Sequence, residues 1–364
     1  MGVVAVFATA LAIGMTLVDL SNTREINGWL IHTGPNGPAA ALIRTDFPEN
    51  RQFATGEHDG PMFYAIARSP LDITEASRSL DRPQYRWQRP LYPWLARALY
   101  PPGSGAGMVW AMFAVGALGV FLASFGVAGI LATFRGKVHL AVFVGIFPGT
   151  LMTLRISAAD TLSLGFLMIA VLCALRNRSW PATGFAVAAV LAKETAIVTL
   201  IGLLLARRER SAIKLVVVPL AVSGAWFVWL RSHAPVGQGS LLDFTIPFAG
   251  LRDSASLWLQ GQNVLTLVCV PLGVGMALVG WSRAGLRHPL TLPVVANLGL
   301  LVIFNLDVVG LDRNGTRTVL PLLALGLALV GTARTLPDSF RCPAFTLRRR
   351  QSAAALTAEG SLSA

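Results

Sequence analysis

An all-α polytopic membrane protein is the fold class this chain predicts, and three observations predict it. Of its 364 residues, 54% are hydrophobic and 13% charged, about half the ~25% that a water-facing globular domain carries. Apolar runs of a length suited to a bilayer recur along the chain. Basic residues gather between those runs, as cytoplasmic loops require. The same composition excludes a large soluble α/β protein. The net charge of +12 reads as positive-inside bias rather than as a nucleic-acid surface. Cys173, Cys269 and Cys342 show neither metal spacing nor a disulfide framework.

The first run, Val3 to Val18, lacks a basic n-region and a small-x-small site before Asp19. It therefore reads as an uncleaved first transmembrane helix within residues 1–20. A large loop over 21–107 follows. Further apolar runs lie near 108–132, 138–154, 158–175, 181–206, 212–230, 262–281, 289–306 and 317–333, so that 108–333 forms a helix bundle. Arg135, Lys137, Arg176, Arg178, Arg207, Arg208, Arg210, Lys214, Arg283 and Arg287 mark the cytoplasmic ends. The run 181–206 has basic flanks on both sides and Lys193-Glu194-Thr195 at its middle. Two short crossings with the triplet at the turn satisfy the orientation rule. A single span would bury Lys193 and Glu194 at about 2.5–3.5 kcal/mol per unpaired charge. The count is then about ten transmembrane helices with both termini cytoplasmic and the large first loop extracytoplasmic. The tail, 334–364, is basic and then Ala/Ser-rich, with too little apolar content to fold, and reads as cytoplasmic and disordered.

Chemically crowded sequence is concentrated in the first loop, from Thr55 to Tyr100. In Glu57-His58-Asp59-Gly60-Pro61, residues two apart in an extended segment project to one side, so Glu57 and Asp59 can face one site. A carboxylate at a membrane surface can serve as general base for a hydroxyl. The plainer reading is a helix start, with Asp59 and Pro61 opening a helix over Met62–Arg68. The two readings coexist, since a cap fixes the carboxylate. Downstream, Tyr85, Trp87, Tyr92 and Trp94 suit the headgroup level. Arg82, Arg86 and Arg89, spaced four and three, share one face of a helical turn. Their guanidinium forks match phosphate, although contact with lipid headgroups explains them equally well.

Other polar residues at membrane edges are few, and each is a site candidate by default. Arg155 and Asp160 bracket one outer turn, Lys193 and Glu194 the next, and Asp307, Asp312, Arg313 and Arg317 lie in the last outer loop. Local salt bridges closing short hairpins are the competing reading. All fall on the same face as the first loop, which favours a site at the outer surface over a conduction path. His32, His58, His139, His233 and His288 have no metal-ligand spacing, and no Walker A, dinucleotide or nucleophile-elbow pattern occurs in context.

The first-loop residues His58-Asp59-Gly60, Phe63-Tyr64, Ala67-Arg68-x-Pro70-Leu71 and Pro83-x-Tyr85-Arg86-x-x-Arg89-x-x-Tyr92-Pro93, with Lys193-Glu194-Thr195 in an apolar run, resemble the GT-C superfamily. These are polytopic glycosyltransferases that take a sugar from a polyprenyl-phosphate carrier, and the likeness is to bacterial members linked to cell-surface glycopolymer formation. Pro61-Met62 departs from the polar residue expected after Asp59-Gly60, and Lys193 stands where Arg is expected. The resemblance implies Asp59 as catalytic base with Glu57 assisting, and inversion at the anomeric carbon. It implies Arg86 and Arg89, with Arg155 or Lys193, around the leaving phosphate. His58, Tyr64, Arg68, Tyr85, Asp160 and Glu194 complete the substrate-binding set. It also implies a lipid-linked sugar donor, a glycan or lipid-linked acceptor, membrane lipids but no nucleic acid as partners, and a bacterial plasma-membrane location. A divalent metal is left open as a cofactor. Two other readings compete. One is a transporter or flippase of a lipid-linked sugar, which internal repeats and charged helices near the midplane would mark. The other is a non-catalytic envelope assembly subunit.

Overall fold

The computed structural model describes residues 1–21, 30–31, 34–49, 58–207, 209, 212–237, 243–259 and 263–332. Regular structure among them is helical, apart from one antiparallel bridge between Phe244 and Phe304. The chain opens with α1 (Gly2–Ser21). Short helices with described bounds follow in the first loop: α2 (Ala40–Asp46), α3 (Asp59–Arg68), α4 (Ile73–Ser77), α5 (Pro83–Arg86) and α6 (Leu91–Leu99). The longest helix, α7 (Gly105–Thr133), follows. A 3-10 turn, Val138–Val142, leads into α8 (Phe143–Ile146), α9 (Pro148–Arg155), α10 (Asp160–Leu175), α11 (Ser179–Ala192) and α12 (Ala196–Arg207). The remainder is α13 (Lys214–His233), α14 (Ala249–Trp258), α15 (Val264–Ala284), α16 (Thr291–Ile303), α17 (Leu306–Val309), α18 (Asp312–Thr318) and α19 (Leu320–Thr332).

Among the described residues, four helices are long and apolar enough to cross a membrane: α1, α7, α13 and α15. The number rises to six if two bent pairs each form one span, Val138–Ile146 with Pro148–Arg155 (47°) and Asp312–Thr318 with Leu320–Thr332 (40°). The molecule is thus a multi-span membrane protein, and the expectation of about ten transmembrane helices is corrected. The physical reason is that apolar runs overstate helix length. The run 158–175 becomes helical only at Asp160, after Ser157 has taken a left-handed conformation (φ 50°). Its 16 residues reach about 24 Å at 1.5 Å per residue, short of the ~30 Å hydrocarbon core. The run 181–206 breaks at Lys193–Thr195, leaving arms of 14 and 12 residues, about 21 and 18 Å long. The run 289–306 yields the 13-residue α16, because Phe304 turns extended to pair with Phe244. Phe147, held extended (ψ 133°) before Pro148, interrupts 138–154. The tail expected over 334–364 lies outside the described residues.

The first loop folds back on the bundle. Ile43, Phe63, Tyr64, Trp87 and Tyr92 form a buried cluster with Met108 and Met112 of α7. The Tyr92 hydroxyl donates to the Met112 carbonyl at 2.9 Å, and the Trp226 indole of α13 donates to the Trp87 carbonyl at 2.8 Å. Within the bundle, α7 and α10 run parallel in backbone contact. A Cβ on Gly119 would stand 2.4 Å from the Leu162 nitrogen, and one on Gly165 2.6 Å from the Gly119 carbonyl oxygen. Small residues permit such approach where apolar surroundings supply no hydrophobic drive. Thr161 Oγ1 donates to the Gly116 carbonyl at 3.0 Å, which sets Asp160 level with the twelfth residue of α7. Both helices end on left-handed residues, Arg135 (φ 55°) and Asn177 (φ 60°). The next residue closes each helix, Gly136 N–H to Leu131 at 2.7 Å and Arg178 N–H to Cys173 at 2.9 Å, in the manner of a Schellman cap.

Candidate functional site

Asp59 opens α3, with His58 in extended conformation before it. Gly60 is the position that brings this helix start into the bundle. A Cβ there would lie 2.5 Å from both the Ile156 and the Ile31 carbonyl oxygens, so only glycine lets α3 seat against those two backbone segments. The seating points the Asp59 carboxylate at two guanidinium groups. Arg86 Nη1 donates to Oδ1, and Arg317 Nη1 donates to Oδ2 at 2.9 Å. The side chains of Asp59, Arg86 and Arg317 are 17%, 10% and 8% exposed, so this is a pairing made largely away from water.

From Asp59 the network spreads both ways. Arg86 also grips Asp81 through Nε and Nη2, both at 2.8 Å, the bidentate geometry that guanidinium and carboxylate favour. Arg317 Nη1 reaches Asp160 Oδ2 at 2.9 Å, and Lys193 Nζ donates to Asp160 Oδ1. Arg89 makes its own bidentate pair with Glu194, Nε at 2.8 Å and Nη2 at 2.6 Å. The Tyr85 hydroxyl accepts from Arg89 at 2.6 Å and donates to Asp243 at 3.1 Å, while Arg82 and Arg89 stack on its ring at 4.3 and 4.6 Å from the centroid. Five carboxylates (Asp59, Asp81, Asp160, Glu194, Asp243) thus face five cations (Arg82, Arg86, Arg89, Lys193, Arg317). Burying charge is tolerable only with such pairing.

The electrostatics follow from the geometry. Burial pushes the Asp59 carboxyl up, but the guanidiniums of Arg317, Arg86 and Arg89 outweigh it and hold the group well below its ordinary range. For Glu194, burial is likewise outweighed, here by Arg89. Burial raises the Tyr85 phenol to about 12. A carboxylate so depressed is a poor proton acceptor while both guanidiniums remain on it, since base strength tracks pKa.

The structure brings together Asp59, Tyr85, Arg86, Arg89, Asp160, Lys193 and Glu194 of the predicted set. It places others apart. Tyr64 and Arg68 both turn to Asp46, Tyr64 Oη at 2.6 Å and Arg68 Nε at 2.8 Å, forming a tie between α2 and α3. Arg155 pairs with Asp19 of α1 at 3.1 Å. His58 is buried beside Arg313, Nε2 to Nη1 at 3.1 Å. Glu57 lies outside the described residues. Asp81 and Asp243 were not singled out as site residues by sequence, and Arg317 was named only among the membrane-edge candidates of the last outer loop. For Arg317 a signal existed, a cation four residues from Arg313 at the head of an apolar run.

A cavity of about 30 Å³ borders Asp160, Lys193, Asn297, Phe304 and Arg317. It has room for a water or two. Among the described residues no group of three or more His, Cys, Asp or Glu side chains is placed to hold a metal ion. The carboxylates of the network already carry arginine or lysine partners, a donor set that does not fit a divalent metal.

Comparison of the chain with family models, with curated proteins and with solved structures returns no match. The four to six long apolar helices correct the ten-span topology expected from the apolar runs and the orientation rule, and the comparisons give the GT-C resemblance no support.

Proposed function

We propose that the protein is a membrane glycosyltransferase that moves a sugar from a polyprenyl-phosphate-linked donor to an extracytoplasmic acceptor hydroxyl, with Asp59 as base. The observation that carries this reading is a carboxylate shared by two buried arginines at one end of the helix bundle. The acceptor oxygen attacks the anomeric carbon, its proton passes to Asp59, and the sugar–phosphate C–O bond breaks with its electron pair leaving on the phosphate. Inversion follows from displacement on the face opposite the leaving group. As Asp59 becomes neutral, the lipid phosphate gains one negative charge. Arg86 and Arg317 are then free to turn from the first to the second, placing cations where charge develops.

Position supports the same reading. The ends of α7, α10 and α12 that carry Arg135, Arg176 and Arg207 lie at one end of the bundle, with the network at the other. The last turn of α19 belongs to the basic end, where Gly331 meets Gly136. The N-terminal half of α1 lies there too, where Ala8 meets Gly145. By the positive-inside rule that end is cytoplasmic, with both termini, and the network is extracytoplasmic. The cell context in this reading is a bacterial plasma membrane. From Thr133 up to Gly116, α7 rises about 26 Å, close to the ~30 Å thickness of a hydrocarbon core. At that depth a lipid phosphate can meet the network.

Asp59→Asn is the direct test, in membranes of a host whose surface glycan depends on the protein. Loss of a general base lowers turnover by about 10²–10⁴-fold. Undiminished transfer by a properly inserted variant overturns the assignment.

A further inference from the structure

Arg313 differs from the other cations around Asp59. Arg82, Arg86, Arg89, Lys193 and Arg317 each have a carboxylate within 4.0 Å. Arg313 has none among the described residues, and its guanidinium meets the His58 ring nitrogen Nε2 instead. An arginine is always a donor, so in this contact Nε2 is the acceptor. The neighbouring Asp312 does not help, because its carboxylate caps α15, accepting from the N–H groups of Leu265 at 3.2 Å and Thr266 at 2.6 Å. One helical turn on, Arg317 stands on the same face of α18 and adds like charge. Among the described residues the paired network is neutral, five against five, and half-buried Arg313 stands beside it with no carboxylate on its guanidinium.

We propose that Arg313, on the platform provided by His58, is the binding residue for a phosphoryl anion arriving at Asp59. This deepens the transfer reading and rests on it for the identity of the ligand, a lipid-linked phosphate. The charge fits. A phosphodiester donor carries one negative charge, which Arg313 can pair without breaking an ion pair of the described residues. The donor therefore docks on Arg313 while Asp59 is still held by Arg86 and Arg317, and the second charge that appears on the leaving phosphate is what draws those two away. Arg313 has unspent N–H groups in a planar fork suited to two phosphate oxygens, whereas the cations predicted from sequence to hold phosphate are already committed to carboxylates.

The full-length protein in zwitterionic nanodiscs tests this, with the thermal midpoint followed against polyprenyl monophosphate, the matching polyprenol, or inorganic phosphate in solution. Polyprenyl monophosphate is expected to stabilise the protein and polyprenol is not. Arg313→Gln is expected to weaken that response at least about 10-fold, the loss of one charge-assisted contact. Arg313→Lys retains part of it, and keeps the test decisive should the glutamine variant not fold. Arg231→Gln, at an exposed position on α13, leaves it unchanged. A response to inorganic phosphate equal to that of the lipid supports the anion site and assigns it to free phosphate; a response to the lipid alone assigns it to a headgroup. Equal affinity in wild type and both Arg313 variants, or equal stabilisation by polyprenol, overturns the proposal. Because the titration reads binding without turnover, Arg313-dependent binding with no sugar transfer would instead refute the transfer reading and leave this one standing.

Discussion

Gly60→Ala isolates how Asp59 is positioned, because it leaves every charged group in place. The added Cβ would sit 2.5 Å from two backbone carbonyl oxygens, Ile156 and Ile31, while ordinary contact begins at 3.4 Å. Neither neighbour is a side-chain tip that can swing away, so α3 must retreat by about 0.9 Å, the difference between those two distances. Asp59, adjacent in the first turn, moves with it. Its 2.9 Å contact with Arg317 then opens toward 3.8 Å, beyond hydrogen-bond range. Overpacking of this kind costs about 1–3 kcal/mol, and a misplacement near 1 Å lowers turnover about 100-fold. The assay pairs thermal unfolding in nanodiscs with transfer from a lipid-phosphate sugar donor. Gly184→Ala is the control, since its Cβ meets nothing within 4 Å; it should gain about 0.5–1 kcal/mol of helix stability with no change in transfer. If Gly60→Ala kept the wild-type midpoint and rate, the close approach at Ile156 and Ile31 would not be what aims Asp59.

Two further outcomes follow from the ion pairs. Glu194→Gln removes the bidentate partner of Arg89. Loss of one partner of a fully buried pair costs about 3–5 kcal/mol, but the Glu194 side chain is 37% exposed and Tyr85 still accepts from Arg89, so about 1–3 kcal/mol is expected. Adding Arg89→Gln should recover part of that loss, and strict additivity in the double-mutant cycle would rule out a direct interaction. Acid sensitivity has a definite sign. Asp59, Asp81 and Glu194 have folded-state values below their ordinary ones, so they stabilise the fold above the unfolded values of about 3.9 and 4.3 and lose that contribution as pH falls toward the folded ones. The thermal midpoint should hold between pH 5 and 8 as far as these groups are concerned, drop below about pH 4, and drop less in Asp59→Asn. An equal drop in the variant would remove Asp59 from the account.

Local chemistry was legible where it set local structure. Asp59-Gly60-Pro61 reads as a helix start and is one; Lys193-Glu194-Thr195 reads as a turn in an apolar run and breaks it. Arg82, Arg86 and Arg89, read as one face, all converge on Tyr85. Partners chosen across the fold were not legible. Tyr64 and Arg68 have the residue types of a binding site, yet Asp46 lies within reach and claims both. Arg317, 258 positions from Asp59, is brought to it only by the return of the chain through α18. The transmembrane count failed for a related reason. Hydropathy marks which residues avoid water, but Ser157, Lys193, Pro148 and Phe304 decide where helices start and stop, and one residue in a different backbone conformation removes a turn.

The short helices and the charge network explain each other. Had α10, α11 and α12 run the full thickness of the hydrocarbon, Asp160, Lys193 and Glu194 would have surfaced in water, where an ion pair contributes at most about 1 kcal/mol. Ending a turn or two early, they leave these groups level with Gly116 of α7, beneath the first-loop helices, in surroundings where each carboxylate must be paired. Strong pairing is also what silences Asp59 as a base, so the resting arrangement is closed to the chemistry it is built from. A neutral ligand does nothing to disturb it. On the proposed transfer reading, the charge that grows on the leaving phosphate competes with Asp59 for Arg86 and Arg317 as the carboxylate takes its proton. On that reading the paired carboxylate is no base for any hydroxyl, that of water included, unless a phosphate is at the site.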